Sequence, residues 1–485
     1  MKTKNPRNQA VLITYADSMG KNIPELHRLL LRHFKEAVGG VHLLPFYPSS
    51  ADRGFAPLCY DKVDSSFGTY GDVRELAKDF PLTVDFMVNH ISRSSDYFKD
   101  FQQKKDASPF RDYFIRYQQF WPGGEPTQQQ VDQIYKRKPR TPYVEVAFAD
   151  GTIEKIWCTF GEEQIDLNVF TKAIRSFFQN NLRLLCENGA SVIRLDAFAY
   201  AVKKPGTNCF FVEPEIWSLL EEIQEMVQPY GVILLPEVHE HYTLQLKLAE
   251  KGYWVYDFAL PMLVLHALYT GEGGPLAHWL TICPRNQFTT LDTHDGIGVV
   301  DVKDLLPQKE IERTKDLLYQ KGANVKRIYS SAAYQNLDIY QINCTYYSAL
   351  GDNDQAYLLA RAIQFFAPGI PQIYYVGLLA GKNDVERMEN TRQGRDINRH
   401  AYSVQEVESE IKRPVVKNLL SLMRFRNQCP AFSGTCTAAW KDGLLTIHRE
   451  SGTQFAALQA DLKSHVFTIR HGDSNNSRVL SFLPM

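Results

Sequence analysis

Asp196 and Glu237 each close a short, apolar, β-rich run, and the pair His294–Asp295 closes a third. Carboxylates in such places can attack a carbon centre, pass it a proton or stabilise charge that develops on it. Asn89 and His90 end another run, and His239 lies two residues past Glu237. A single acid at a strand end is ordinarily a helix cap or an ion-pair partner. Several on one rim are harder to explain as caps, and they read as the carboxyl-terminal face of a barrel enzyme.

If Asp196 and Glu237 end neighbouring strands, about 4.8 Å apart, their carboxyl groups can approach the roughly 5 Å separation that retaining glycosidases use. Inversion needs a wider gap. Arg194 precedes Asp196 by two residues and therefore points to the same side of the strand, where its guanidinium can keep the carboxylate ionised as a nucleophile. A plain structural ion pair is the alternative. Glu237 follows the apolar run VILLP, and partial desolvation there would favour its protonated form and suit it to donating a proton. Asp295 could then stabilise an oxocarbenium-like transition state.

Positioning these groups takes a regular sheet, and the apolar runs supply one. They are Val11–Tyr15, Val41–Pro45, Thr83–Val88, Ser191–Leu195, Val232–Pro236, Trp254–Phe258, Phe288–Leu291 and Ile373–Val376. Amphipathic segments lie between most of them, among them Ile23–Val38, Thr171–Asn188 and Pro214–Val227. Alternation with eight strands predicts an α/β fold, a (β/α)8 TIM barrel, from residues 1–90, 171–296 and 350–431. Two connections exceed ordinary βα loops. Residues 91–170 form the first predicted insertion, with a Pro/Gly/Gln-rich stretch, a basic cluster (Lys136, Arg137, Lys138, Arg140) and a hairpin at Asp150-Gly151. Residues 297–349 form the second, a charged helix followed by the polar stretch Tyr329–Tyr340. From 432 to 485, short alternating runs such as Leu444–Ile447 and Gln454–Leu458 predict a small antiparallel β domain.

With 54 Lys and Arg against 55 Asp and Glu, the net charge of −1 offers no general field for nucleic acid or an anionic membrane. A small or neutral substrate fits better. The eight cysteines show neither a CxxC pair nor ligand-like spacing, as expected of buried thiols in a reducing cytoplasm. Asp17 interrupts the first apolar segment, and no apolar stretch approaches the ~20 residues that span a bilayer. A monomer or homodimer is expected. No cofactor and no metal is expected, because no dense carboxylate loop of the calcium-binding kind is present.

The segments DFMVNH (85–90), IRLDAFAY (193–200), LPEVH (235–239) and LDTHD (291–295) resemble the four conserved regions of the α-amylase family, glycoside hydrolase family 13. GGVHLLPFYPSSADRGFAP, TFGEEQIDL, VYDFALP, THDGIGVVDVKD, NLDIYQINCTYYSALGDND, YYVGLLAGKND and GRDINRH extend the likeness to that family's sucrose-phosphorylase branch. The resemblance implies a double displacement on sucrose, with inorganic phosphate as acceptor, Asp196 as nucleophile, Glu237 as acid/base and Asp295 as stabiliser. It further implies that Asp52 and Arg395 clamp distal glucose hydroxyls and that His90 and His294 bond others. Phe55 and Tyr200 would face the sugar ring, and Gln164 and Phe210 would complete the pocket. Tyr135, Lys138, His239 and Tyr340 match acceptor-side positions, and Leu337, Asp338 and Gln341 match a fructose-contacting loop. Taken singly, Tyr200 and Phe210 could equally be core residues.

One departure bears on the acceptor. Arg137 stands where some members have proline, which leaves the usual arginine contact to Lys138, a point charge without the bidentate fork. An added cation could recruit a phosphorylated acceptor, so sucrose 6′-phosphate remains a live substrate, whereas Asp338 would repel its phosphate. Glucosyl-glycerate or glucosyl-glycerol phosphorolysis and α-glucoside hydrolysis share the same glucose side.

Overall fold

The computed structural model describes residues 6–136, 140–323 and 341–483. Eight parallel strands and the helices between them make a (β/α)8 barrel, with a separate antiparallel sheet at the carboxyl end, as the apolar periodicity predicts. The barrel strands are β1 (Val11–Thr14), β2 (Gly40–Leu43), β3 (Leu82–Met87), β4 (Ala190–Asp196), β5 (Ile233–Pro236), β6 (Val255–Asp257), β7 (Gln287–Thr289) and β8 (Ile370–Tyr374). Each overlaps one of the eight expected runs. The largest offset is β8, which starts three residues before the expected Ile373, because Pro371 reads as a strand breaker yet sits inside the sheet. Its expected last residues turn instead into the short helix Tyr375–Leu378.

The chain divides into two compact units, one built on Leu43–Val238, the other on Arg7–His42 and most of the chain from His239 onward. In the first, β3, β4 and β5 lie side by side in parallel, with Asp85 opposite Arg194 and Arg194 opposite Leu235. Helix Lys172–Glu187 packs by the spacing of Ile174, Phe177, Phe178, Leu182 and Leu185, all buried, and starts where the Thr171 hydroxyl accepts from the Ile174 N–H. Helix Glu215–Val227 buries Ile216, Leu219, Leu220, Ile223 and Val227 by the same logic. The expected hairpin pairs Tyr143–Ala147 with Ile153–Trp157. At its tip Gly151 takes φ 84°, and Asp150 accepts from the Thr152 N–H at 2.9 Å. Beneath it Tyr117, Trp121, Ile134 and Trp157 form a small core of their own.

In the second unit β6, β7, β8, β1 and β2 adjoin in that order. The expected helix from Ile23 to Val38 is shorter, an α-helix over Ile23–Leu29 that widens into a π-helical turn over Leu30–Phe34. The chain then leaves helical geometry, with Glu36 at φ 71°. The carboxyl-terminal sheet has five antiparallel strands, Thr435–Lys441, Leu444–Ser451, Gln454–Asp461, Phe467–Asp473 and Ser477–Val479. Leu445, Ile447 and Arg449 alternate into its buried side. No described helix is long and apolar enough to cross a membrane.

Candidate active site

The end of β4 and the end of β5 bring Asp196 and Glu237 to adjacent strand termini, since Leu195 pairs with Pro236 and the Glu237 N–H bonds Leu195 O at 3.0 Å. Arg194 touches both. Its Nη1 lies 2.9 Å from Asp196 Oδ1 and its Nη2 lies 3.0 Å from Glu237 Oε1. The same Nη1 reaches Asp85 Oδ1 at 2.5 Å, and Asp85 is fully buried opposite it on β3. A planar guanidinium makes such a fork, whereas an ammonium is a single point. The Glu237 side chain is largely buried, in line with the expected partial desolvation, but polar groups meet it there. Its Oε2 accepts the Ala197 N–H at 2.9 Å, and the side chains of VILLP stay within the buried strand below it.

Several candidate site positions carry or adjoin left-handed backbone. Asp52 and Arg53 both sit at φ 49°, Ala197 at φ 51°, and Cys209 and Phe211 at 55° and 45° on either side of Phe210. Side chains rarely adopt this left-handed region, which costs each such residue a little local strain. Gly54 follows at φ 107°, where an added Cβ would meet Pro45 at 2.6 Å.

His90 is buried, and its Nε2 stands 2.9 Å from Phe55 O and 4.0 Å from Asp196 Oδ2. Burial lowers its pKa below the ordinary 6.5, so the ring is neutral at pH 7. Gln164 Nε2 donates to the same carbonyl at 3.0 Å. The Phe55 ring lies 5.8 Å from the Arg194 guanidinium carbon. Tyr135, Tyr200 and Phe210 form one aromatic group, with Tyr135–Phe210 centroids 4.7 Å apart and Tyr200–Phe210 4.9 Å apart. Phe160 joins it at 5.1 Å from Tyr200 and 5.5 Å from His90.

The basic cluster resolves unevenly. Arg140 donates to Tyr143 O at 2.8 Å and Phe160 O at 2.7 Å, which makes it a clasp for its own loop. Lys136 approaches Asp132 at 4.0 Å. Arg137, Lys138, Leu337, Asp338 and Tyr340 lie outside the described residues.

The second unit assembles its own group. Asp295 Oδ1 meets Arg395 Nη2 at 3.0 Å, and Asp295 Oδ2 lies 3.6 Å from His294 Nε2. His239 stacks on Phe258 with ring centroids 3.7 Å apart. Its Nε2 is 3.0 Å from Gln341 Nε2, and its Nδ1 is 3.5 Å from Asp301 Oδ2. Asn398 and Arg399 pin the turn that carries Asp295, donating to Asp295 O at 3.0 Å and His294 O at 3.0 Å. Residue-type reasoning passed over these two, along with Asp85, Phe160 and Asp301. A charged residue inside an apolar strand was the available signal for Asp85, and the polar run GRDINRH was the signal for Asn398 and Arg399.

Residues 32–253 match the family described as alpha amylase, catalytic domain. The chain is 54% identical over 475 residues to a sucrose phosphorylase of Streptococcus mutans serotype c, covering 97% of this chain and 99% of that one. It is 43% identical to a sucrose 6(F)-phosphate phosphorylase of Thermoanaerobacterium thermosaccharolyticum, over 98% and 99% of the two chains. The crystal structure of a sucrose 6F-phosphate phosphorylase from Thermoanaerobacter thermosaccharolyticum superposes with a TM-score of 0.93 at 42% identity, covering 98% of each chain. The chain belongs to the α-amylase family, glycoside hydrolase family 13, in the branch of its sucrose phosphorylases and their near relatives.

Proposed function

We propose that this chain transfers a glucosyl group from sucrose to inorganic phosphate, with retention, releasing fructose and α-glucose 1-phosphate. The observation that carries the reading is Arg194 bound at once to Asp196 and Glu237 at adjacent strand ends, within a chain 54% identical to a sucrose phosphorylase. Two carboxyl groups held by one guanidinium suit the short separation of a double displacement.

In the first step Asp196 attacks the anomeric carbon and forms a β-glucosyl ester. The bond to fructose breaks, and Glu237 gives its proton to the departing oxygen. In the second step a phosphate oxygen attacks the same carbon, Glu237 recovers a proton from the phosphate, and the bond to Asp196 breaks. Two inversions give net retention. Asp295 stabilises the oxocarbenium-like charge at each crossing, Arg194 orients the two carboxylates, and Asp52, His90, His294 and Arg395 bond the glucose hydroxyls. Phe55, Tyr200, Gln164 and Phe210 enclose the ring. Tyr135, Lys138, His239 and Tyr340 serve phosphate, and Leu337, Asp338 and Gln341 serve fructose. A barrel with two insertions and a carboxyl-terminal β domain, acting in the cytoplasm as a monomer or homodimer, completes the reading.

Sucrose and phosphate without added metal or nucleotide should yield glucose 1-phosphate and fructose in equal amounts. Glucose release at the same rate without phosphate would instead identify a hydrolase. Arg137 favours a second reading in which the donor is sucrose 6′-phosphate, and comparing kcat/KM for the two donors in phosphate decides between them.

A further inference from the structure

His90 is neutral, so one of its ring nitrogens carries the proton and the other does not, and only one choice presents an N–H on the side of Asp196. The surroundings settle which. Lys203 is 4% exposed, and its ammonium meets Asp166 Oδ2 at 2.6 Å, Asn89 Oδ1 and Tyr200 O. Asp166 is fully buried and also accepts from the Thr159 N–H at 2.9 Å and the Thr159 hydroxyl at 2.5 Å. An ammonium has only donors, so the Asn89 group facing it must be the carbonyl oxygen. The Asn89 amide nitrogen is thereby turned to His90 Nδ1, 3.3 Å away. A donor there requires Nδ1 to be the unprotonated nitrogen.

The opposite side of the ring agrees. His90 Nε2 faces Phe55 O at 2.9 Å, and a carbonyl only accepts. Gln164 is oriented independently, because the Gly161 N–H donates to its Oε1 at 3.0 Å and leaves its Nε2 to donate to Phe55 O at 3.0 Å. Two donors thus share the two lone pairs of one carbonyl, which explains why His90 Nε2 and Gln164 Nε2 stand 3.2 Å apart without bonding each other. With the proton on Nδ1, two donors would oppose across the Asn89 contact and two acceptors across the Phe55 contact.

We infer that Lys203 and Asn89 are positioning residues that, together with the Phe55 carbonyl, hold His90 as its Nε2–H tautomer, with the protonated nitrogen on the edge of the ring that stands 4.0 Å from Asp196 Oδ2. The consequence for sugar binding rests on the glucosyl-transfer reading above, but the tautomer does not. Enzyme labelled with 15N-histidine, with His90 assigned by the signal lost in His90→Gln, should show at neutral pH an unprotonated Nδ1 and a protonated Nε2. The reverse assignment, or averaged signals, overturns the inference.

The double variant Lys203→Met/Asp166→Asn removes both buried charges together, which avoids leaving either alone. Its His90 signals should shift part of the way toward the Nδ1–H form, the Phe55 carbonyl alone then favouring Nε2–H, and kcat/KM for the glucosyl donor should fall up to about tenfold, the loss of one oriented hydrogen bond. Unchanged signals in the folded double variant overturn the inference, and if that variant does not fold the wild-type spectrum decides. An intact tautomer in an enzyme that does not phosphorolyse sucrose would count against the substrate reading alone.

Discussion

The Nη2 of Arg194 lies 3.0 Å from Glu237 Oε1, so the arginine beside the proposed nucleophile also holds the proposed acid/base. The contact ties the end of β5 to the end of β4, independently of any substrate. Arg194→Lys should therefore damage both steps, because one ammonium cannot reproduce the fork. We expect kcat/KM to fall by about a hundredfold, roughly the worth of one or two charge-assisted bonds. Steady-state phosphorolysis checks this, with circular dichroism as the control for folding.

Asp196→Ala should lower turnover by about four orders of magnitude or more and Glu237→Gln by about two to four, while the fold survives, as removal of a nucleophile or an acid/base does. Denatured-state mass spectrometry after mixing with sucrose separates the roles. Asp196→Ala should never carry a glucosyl adduct.

Asp85 is buried opposite Arg194 and bonded to it at 2.5 Å. Asp85→Asn takes away one of the three carboxylates around the guanidinium and leaves Asp196 and Glu237 to balance it, at a cost of about 1.5–3 kcal/mol for one charge-assisted bond. Thermal melting should show a drop of several degrees, and kcat should fall with it because Arg194 loses its anchor. A variant that melts like the parent would show the pair to be dispensable.

His90 gives a pH signature. Burial puts its folded pKa below 6.5, so below that value the unfolded chain binds the extra proton and the native state does not. Its contribution to stability is complete above about pH 6.5 and is lost as the pH falls through that range toward the lower folded value. Replacing it by Gln removes the contribution. Melting temperatures of His90→Gln should depend less steeply on pH than those of the parent on the acid side of 6.5.

Gln341 Nε2 is 3.0 Å from His239 Nε2. Gln341→Leu should release His239 and remove a fructose contact, raising KM for phosphate and for sucrose severalfold while glucosylation of the enzyme at saturating sucrose changes little. Rapid-quench measurement of the fructose burst distinguishes this from damage to the glucose pocket.

The eight strands and the acids at their ends were legible in the sequence by themselves, because β-strand periodicity is local, and the residue types of Asp196, Glu237 and Asp295 at those ends are what the proposed chemistry rests on. The resemblance of four short segments to one family added the substrate class. Only the tertiary structure decided which charges meet. Arg194 reads in sequence as a neighbour of Asp196 two residues on, yet its partners include Asp85 and Glu237, which sequence separation hides and strand register supplies. The apolar run before Glu237 suggested a partly desolvated carboxyl, and its side chain is only 11% exposed, but its partners there, the Ala197 N–H and a guanidinium, come from the neighbouring strand end and were not visible in the run itself. Lys203 had no signal at all, because a buried lysine becomes intelligible only when the acceptors around its ammonium, two of them, Asn89 and Asp166, distant in sequence, are folded together.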